Sequence, residues 1–132
     1  MESMMNYYFA KEVDLSFEEA LVRVTDELKK EGFGVLTEID VKATIKKKLG
    51  KDFRNYRILG SCNPPFAYQA LLSEPQIGLM LPCNVVVQDE GNGKILVSAI
   101  DPVASMQAVE NDRLGEIAEE VRMKLRKVIE NV

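Results

Sequence analysis

The chain has no histidine, only two cysteines and no long uninterrupted apolar run. The absence of histidine removes the commonest general base near neutral pH, the commonest metal ligand and every Ser-His or Cys-His pair. The longest apolar run, residues 77–87, is interrupted by Pro82 and Asn84 and is too short to cross a bilayer. We therefore expect no membrane segment, and any chemistry must come from thiol, amide or carboxylate groups.

The two cysteines and the charge balance narrow the class of protein further. Two cysteines do not make the disulfide framework of a small secreted domain, and residues 1–6 lack the basic start and apolar stretch of a signal peptide. A reduced, cytoplasmic protein is therefore expected. The formal net charge of −4 argues against nucleic acid as a partner, because phosphate binding requires clustered Lys and Arg.

Length and composition are those of an ordinary globular protein: 132 residues, 46% apolar and 29% charged. A chain of this length buries roughly two-thirds of its unfolded surface, so it can fold without a disulfide or a metal. The pattern contains no linker, internal repeat or low-complexity stretch. We expect a single domain over residues 1–132.

Local signals predict an alternation of strands and helices. Ser16 starts a helix and Glu19 completes its capping box, Gly50 ends a short helix, and Asn111 or Asp112 starts a long final one. Strands are predicted at residues 7–13, 33–40, 56–62, 83–88 and 94–100. This order favours an α+β fold, with a mainly antiparallel sheet, helices packed on one face and two short helical inserts.

Three strands carry more specific predictions. Residues 33–40 alternate between apolar and polar side chains, which predicts a strand with one side buried. In the following strand, Gly60 predicts either a bulge or a place where another group approaches the backbone closely. Residues 83–88 are rich in consecutive valine, which predicts a central, buried strand.

Two Cys-Asn pairs, with the residues around them, are specific enough to indicate a family. The residues that carry the pattern are Leu59-Gly60-x-Cys62-Asn63-Pro64, Ala67, Ala70-Leu71, Glu74-Pro75, Gly78-Leu-x-Leu-Pro82-Cys83-Asn84-Val85, and the later Asp101-Pro102 with Met106. In these residues, and in 32–42 before them, the chain resembles the bacterial and archaeal family called domain of unknown function 302.

The resemblance implies mainly a fold and an assembly. Members of the family look like one half of the TATA-binding-protein architecture: a strand, a helix, four strands of a curved antiparallel sheet and a C-terminal helix. Such domains are expected to pair as homodimers. The family has no settled activity, so it lends no catalytic residues. A DNA-binding saddle does not carry over, because the net charge here has the wrong sign.

Cys62, Asn63, Cys83 and Asn84 are the candidate site residues, because the Cys-Asn pair recurs at the ends of two predicted strands. If those strands are neighbours, both thiols lie near one end of the sheet and can approach within disulfide reach, about 4.4–6.8 Å between Cα atoms. Cys62 also precedes the helix that starts at Pro64, whose free N–H groups stabilise a thiolate. Buried core cysteines, a thiol-based site and a structural disulfide all remain open interpretations.

Simpler structural roles exist for the other polar candidates. Asn63 is a good helix N-cap, and Asn84 suits an amide beside a turn. Glu38 and Asp40 offer paired carboxylates for acid–base work, although exposed acids on a strand face are common. No metal site is expected, since two thiolates do not complete a tetrahedral shell and histidine is absent.

Together these patterns predict a small-ligand-binding or sensing module that forms a homodimer and carries no cofactor. A small molecule and a second copy of the chain are the expected partners. The alternative is a thiol-dependent redox protein or enzyme, with Cys62 as nucleophile and Cys83 as resolving thiol. The residues do not decide whether the protein is an enzyme.

Overall fold

The structure, a computed structural model, describes residues 7–132. Residues 1–6, in which we expect no signal peptide, lie outside the described residues. The elements follow in this order: β1 Tyr8–Val13, α1 Phe17–Lys30, β2 Gly34–Asp40, α2 Val41–Leu49, β3 Tyr56–Cys62, α3 Pro64–Ser73, a 3-10 helix Pro75–Met80, β4 Cys83–Asp89, β5 Ile95–Ile100, α4 Pro102–Ser105 and α5 Asp112–Asn131. The predicted order of a strand, a helix, four strands and a helix is confirmed. The described residues contain four short inserts, α2, α3, the 3-10 helix and α4, where the sequence predicts two.

Nearby side chains set the helix ends. Ser16 Oγ accepts a hydrogen bond from the Glu19 N–H (3.1 Å), and Glu19 Oε1 accepts one from the Ser16 N–H (3.0 Å), so the predicted capping box is present. Gly50 ends α2 with a φ of 66°, a left-handed conformation that favours glycine. Asn111 Oδ1 accepts a hydrogen bond from the Leu114 N–H and starts α5. No helix in the described part of the chain is long and apolar enough to span a membrane.

The strands form one five-stranded antiparallel sheet in the order β1-β5-β4-β3-β2. The neighbouring strands β3 and β4 carry the two cysteines, and their register places Ser61 opposite Cys83. α1 and α5 pack on one face of this sheet. The predicted α+β class, with a mainly antiparallel sheet, is confirmed.

The core lies between the sheet and these two long helices. Val24 and Leu28 of α1, Leu125 of α5, and Val85 and Val97 of the sheet are completely buried there. Burial of such side chains is the main stabilising contribution, roughly 1.5–3 kcal/mol for each one.

The long helices α1 and α5 pack on one face of the sheet, and the burial pattern of β4 follows from this. β4 is central, as predicted, but only alternate side chains are buried: Cys83, Val85 and Val87 face the helices, whereas Asn84 is exposed and Val86 is half-buried. The open sheet face is the face that carries Asn84 and Val86. A run of valine predicts burial on both sides only where both faces of a sheet are covered.

The prediction of a half-buried β2 is wrong. β2 is an edge strand: Leu36 is 67% exposed and Ile39 is 48% exposed, and only Val35 is partly buried against the core. Its pairing with β3 is irregular between Val35 and Thr37, so the bulge considered for Gly60 lies in this strand instead. An edge position cannot be read from alternation, because the strand order is set by the whole sheet.

Gly60 is a place of close approach. A Cβ on this residue would collide with Thr37 Oγ1 and would lie 2.9 Å from Pro82 Cγ. Glycine at this position therefore lets the edge strand and the segment before β4 close over β3. Both Thr37 and Pro82 belong to the wall of the cavity described next.

Candidate functional site

A cavity of about 390 Å³ lies where β3 ends and β4 begins. Its walls come from the ends of these strands, from Leu36 and Thr37 of β2, from α3, and from the first half of α5. The side chains that line it are mostly apolar. Those from the helices, together with Met106 just after α4, are Phe66, Ala67, Ala70, Leu71, Pro102, Ile117, Ala118 and Val121.

Both cysteines line this cavity, and both are free thiols. Cys83 is 8% exposed, whereas Cys62 is partly exposed at the end of β3. Burial raises the pKa of the Cys83 thiol to about 11, with a smaller contribution from the nearby Cys62 thiol, because both effects disfavour a thiolate. At neutral pH Cys83 is therefore a protonated, weakly polar part of the wall.

Ser61 fixes the backbone on which Cys83 stands. Its hydroxyl is completely buried and donates a 2.7 Å hydrogen bond to the carbonyl oxygen of Cys83. Ser61 and Cys83 are register partners in the sheet, so a side-chain bond is added where the two strands pair. The start of β4 is thereby held against the end of β3, and the cavity wall is anchored at this point.

Asn63 also lines the cavity, and it is 8% exposed. It occupies the N-cap position of α3, followed by Pro64, but its side chain makes no capping hydrogen bond. Instead, Asn63 Nδ2 donates a 3.2 Å hydrogen bond to the carbonyl oxygen of Glu31. The capping role expected for this side chain is corrected: it ties the start of α3 to the turn between α1 and β2.

Asn84 lies elsewhere. It pairs with Gly60 in the sheet register, is exposed, and borders a shallow depression on the open sheet face together with Tyr8, Tyr56 and Val86. The structure thus brings Cys62, Asn63 and Cys83 to one cavity and leaves Asn84 outside it. The repeated Cys-Asn pair does not show this difference between Asn63 and Asn84. Asn84 lies inside a strand, where consecutive residues point to opposite faces, so it faces away from Cys83.

Most of the cavity wall was not predicted as part of a site. Phe66, Ala67 and Ala70 of α3 were recognised only as a short helix, and Ile117 and Ala118 of α5 as helix core. The sequence feature that could have indicated the cavity is side-chain size. Alanine on the inner faces of two helices leaves space that larger side chains would fill. No pattern in the sequence shows that these two helices face each other.

The acidic pair on β2 has a structural partner. Arg57 of β3 contacts Glu38 at 2.7 Å and Asp40 at 3.4 Å, at the sheet edge and outside the cavity. Asp40 also accepts a hydrogen bond from the Ala43 N–H at the start of α2. Among residues 7–132, no three His, Cys, Asp or Glu side chains lie close enough together to hold a metal ion.

Comparison with known proteins places the chain in a family. The sequence model of the DUF302 family, described as a domain of unknown function, matches residues 9–132. The chain belongs to the DUF302 family. A solved structure, that of an uncharacterized conserved protein DUF302 from Bacillus stearothermophilus, is similar to it with a TM-score of 0.88 and 30% sequence identity over 98% of each chain. No match was found among curated proteins.

Membership of DUF302 confirms the resemblance carried by the two Cys-Asn pairs. The similarity extends over nearly the whole chain, so the cavity lies within the part shared with the solved DUF302 structure. The family has no named activity. What the cavity does must therefore be inferred from its own residues.

Proposed function

We propose that this DUF302 protein is a small-ligand-binding or sensing module whose site is the cavity around Cys62, Asn63 and Cys83. The observation that carries this proposal is the space of about 390 Å³ between the sheet ends and two helices. An apolar cavity with a few polar groups is the usual form of a small-molecule site.

The exposure of the side chains that line the cavity supports ligand binding. Cys83, Ala70 and Ile117 are buried, while Leu36 and Leu71 line the same space and are largely exposed. The cavity therefore has a buried interior and an apolar mouth through which a ligand can enter. Ligand burial would remove apolar surface from water at both places, which stabilises a complex by about 25 cal/mol per Å².

Binding of the neutral fluorescent probe N-phenyl-1-naphthylamine tests the proposal. Ala67→Leu adds side-chain volume inside the cavity and is expected to lower the affinity for the probe by roughly tenfold, because ligand atoms lose their space. Ala43→Leu is the matched control, since Ala43 is an exposed residue of α2 away from the cavity. Equal binding by both variants, or no probe binding to the wild type, would contradict a ligand site here.

The expected homodimer is supported by the open sheet face. Ile39, Ile58, Val86 and Ser98 form an uncharged row across four strands, and the long helices α1 and α5 pack on the opposite face of the sheet. Two copies of a neutral surface can meet about a two-fold axis without like-charge repulsion. We propose that a second copy of the chain covers this face.

Light scattering during size-exclusion chromatography tests the dimer. Val86→Glu places a carboxylate in the row and is expected to give a monomer, because a charge in the middle of an interface is left unpaired. Val22→Glu on the exposed side of α1 is the control and should leave the mass unchanged. A monomeric wild type would exclude the dimer, and a dimeric Val86→Glu would exclude this face.

The alternative function, a thiol-dependent redox protein, rests on the presence of both free cysteines in one cavity. Cys62 is the better nucleophile, because it is partly exposed, whereas Cys83 is buried and protonated at neutral pH. Unpaired cysteines also support the expected cytoplasmic location. Peroxide that joins Cys62 to Cys83 in the folded protein, with loss of two hydrogens by mass, would favour this alternative. Slow alkylation of Cys62 near pH 7, no faster than that of a free thiol, would reject it.

A further inference from the structure

The cavity wall has no charged side chain. Its polar members among the described residues are Thr37, Ser61, Asn63 and the two cysteines, and none of the Asp, Glu, Lys or Arg residues lines it. Cys83 adds no charge at neutral pH, because its pKa is raised to about 11. A charged group buried here would lose its hydration without gaining a counter-ion, which is strongly unfavourable.

Two side-chain oxygens of this apolar wall have no hydrogen-bond partner among residues 7–132: Thr37 Oγ1, on an exposed residue of the edge strand, and Asn63 Oδ1, on a buried one. Asn63 Nδ2 donates a hydrogen bond to the carbonyl oxygen of Glu31, but Asn63 Oδ1 accepts no hydrogen bond from any group within residues 7–132. The side chain as a whole is 8% exposed and lines the cavity. Every fully enclosed side-chain nitrogen or oxygen among these residues has a partner, so Oδ1 must border open space.

An unpartnered amide oxygen in such a place is an acceptor that a ligand can satisfy. The Ser61 hydroxyl is already committed to the carbonyl oxygen of Cys83. The Thr37 hydroxyl makes no hydrogen bond to Asn63 in this structure, so the donor for Asn63 Oδ1 is left to the bound molecule or to water. A ligand that supplies it gains a hydrogen bond in a low-dielectric site, whereas a ligand without a donor leaves the oxygen desolvated.

The size of the cavity limits the molecule. A volume of about 390 Å³ corresponds to roughly a dozen water molecules at about 30 Å³ each. This space suits a compound of roughly ten to twenty non-hydrogen atoms. The apolar wall and mouth require that most of these atoms be carbon.

We propose that the ligand is an uncharged apolar molecule with one hydrogen-bond donor, such as a hydroxyl group, that binds Asn63 Oδ1. This inference rests on the proposed function and specifies its ligand class. The carbon body lies against the helix side chains, and the hydroxyl lies at the strand ends beside Cys62. Medium-chain alcohols and phenols have this chemistry, and carboxylates and phosphates do not.

Competition against N-phenyl-1-naphthylamine tests the effect of a ligand's charge and the effect of its hydroxyl donor separately. The competitors are 1-decanol, its isomer methyl nonyl ether, which has no hydroxyl donor, and decanoate, which carries a charge. We expect 1-decanol to bind roughly three- to tenfold more tightly than the ether, because one hydrogen bond typically contributes a difference in affinity of this size. Decanoate should bind at least roughly tenfold more weakly than the alcohol, because its charge is not compensated.

The Asn63→Ala variant tests the acceptor itself. Without Oδ1, the preference for 1-decanol over the ether should fall to about one, provided that the variant melts cooperatively. If the variant does not fold, the comparison of alcohol and ether on the wild type decides the point. A preference that survives in a folded variant would exclude Asn63 as the acceptor.

The two proposals fail in different ways. If neither the probe nor any of the three competitors binds, the cavity is not a ligand site and both proposals fall. If the probe binds and decanoate competes as well as 1-decanol, the ligand site stands and the uncharged ligand class is wrong. If the alcohol and the ether bind equally, the hydrogen bond to Asn63 is wrong.

Discussion

The buried Ser61 hydroxyl donates a 2.7 Å hydrogen bond to the carbonyl oxygen of Cys83, its register partner across β3 and β4. The two residues lie on the wall of an apolar cavity, and this bond holds the first residue of β4 in place. The bond therefore anchors the backbone beneath the thiol of Cys83, whose side chain is buried.

Ser61→Ala is expected to lower the free energy of unfolding by about 1–2 kcal/mol, because it removes a buried hydrogen bond and leaves a carbonyl oxygen without that partner. Urea denaturation monitored by circular dichroism measures the change. Ser73→Ala is the control: the Ser73 hydroxyl also donates to a carbonyl oxygen, that of Gln69, but at an exposed site. Its effect should stay within about 0.5 kcal/mol, and equal losses in both variants would refute the special role of Ser61.

Alkylation should distinguish the two thiols of the folded protein. Iodoacetamide near pH 8 is expected to modify Cys62 and to leave Cys83 intact, because Cys83 is buried and its pKa is about 11. Unfolding in urea should make both react at similar rates. Peptide mass spectrometry after a timed quench assigns each modified residue, and rapid modification of Cys83 in the folded state would contradict the structure.

The raised pKa of Cys83 also makes stability depend on alkaline pH. The folded thiol keeps its proton up to about pH 11, whereas the unfolded thiol loses it near pH 9. Its contribution is therefore fully present below about pH 9 and is lost as the pH rises from there towards 11, by an amount on the order of 2–3 kcal/mol. The difference in unfolding free energy between the wild type and Cys83→Ala should shrink over this range. A difference that stays constant between pH 8 and pH 11 would show that the thiol is not desolvated.

Gly60→Ala tests the close approach at the cavity edge. The added methyl group would collide with Thr37 and lie 2.9 Å from Pro82, so we expect a loss of roughly 1–3 kcal/mol in unfolding free energy. Gly34→Ala in the neighbouring strand is the matched control, because a Cβ there has no atom within 4 Å. Adding Thr37→Ala to Gly60→Ala should recover part of the loss. The idea fails if Gly34→Ala and Gly60→Ala are equally destabilising.

Gly115→Ala should stabilise the protein. Gly115 is an exposed residue inside α5, and a Cβ at this position meets no atom within 4 Å. Alanine in a helix interior is favoured over glycine by about 0.5–1 kcal/mol, mainly because the unfolded chain loses less freedom on folding. Thermal unfolding should show a higher midpoint, and a lower one would mean that this helix surface is in contact with something outside residues 7–132.

Signals confined to a few neighbouring residues predicted much of the fold. The capping box of Ser16 and Glu19, the left-handed Gly50 and the N-cap Asn111 lie within one helical turn of the groups they serve, so the sequence contains both partners. The candidate site was predicted less completely. Cys62 and Cys83 could be placed at the ends of two predicted strands, but the sequence did not show that these strands are neighbours. The cavity that the cysteines share also needs α3 and α5, whose side chains come from distant positions in the chain.

What the sequence determined by itself is the set of elements, their ends, the α+β class, and the chemistry open to a protein without histidine. The tertiary structure alone decided which faces of those elements are covered. It exposed β2 by placing it at the sheet edge, turned Asn84 to the open face, and drew the Asn63 amide away from its own helix to Glu31. The physical reason is distance along the chain: caps and turns depend on residues within about four positions, whereas burial depends on elements that meet only after folding.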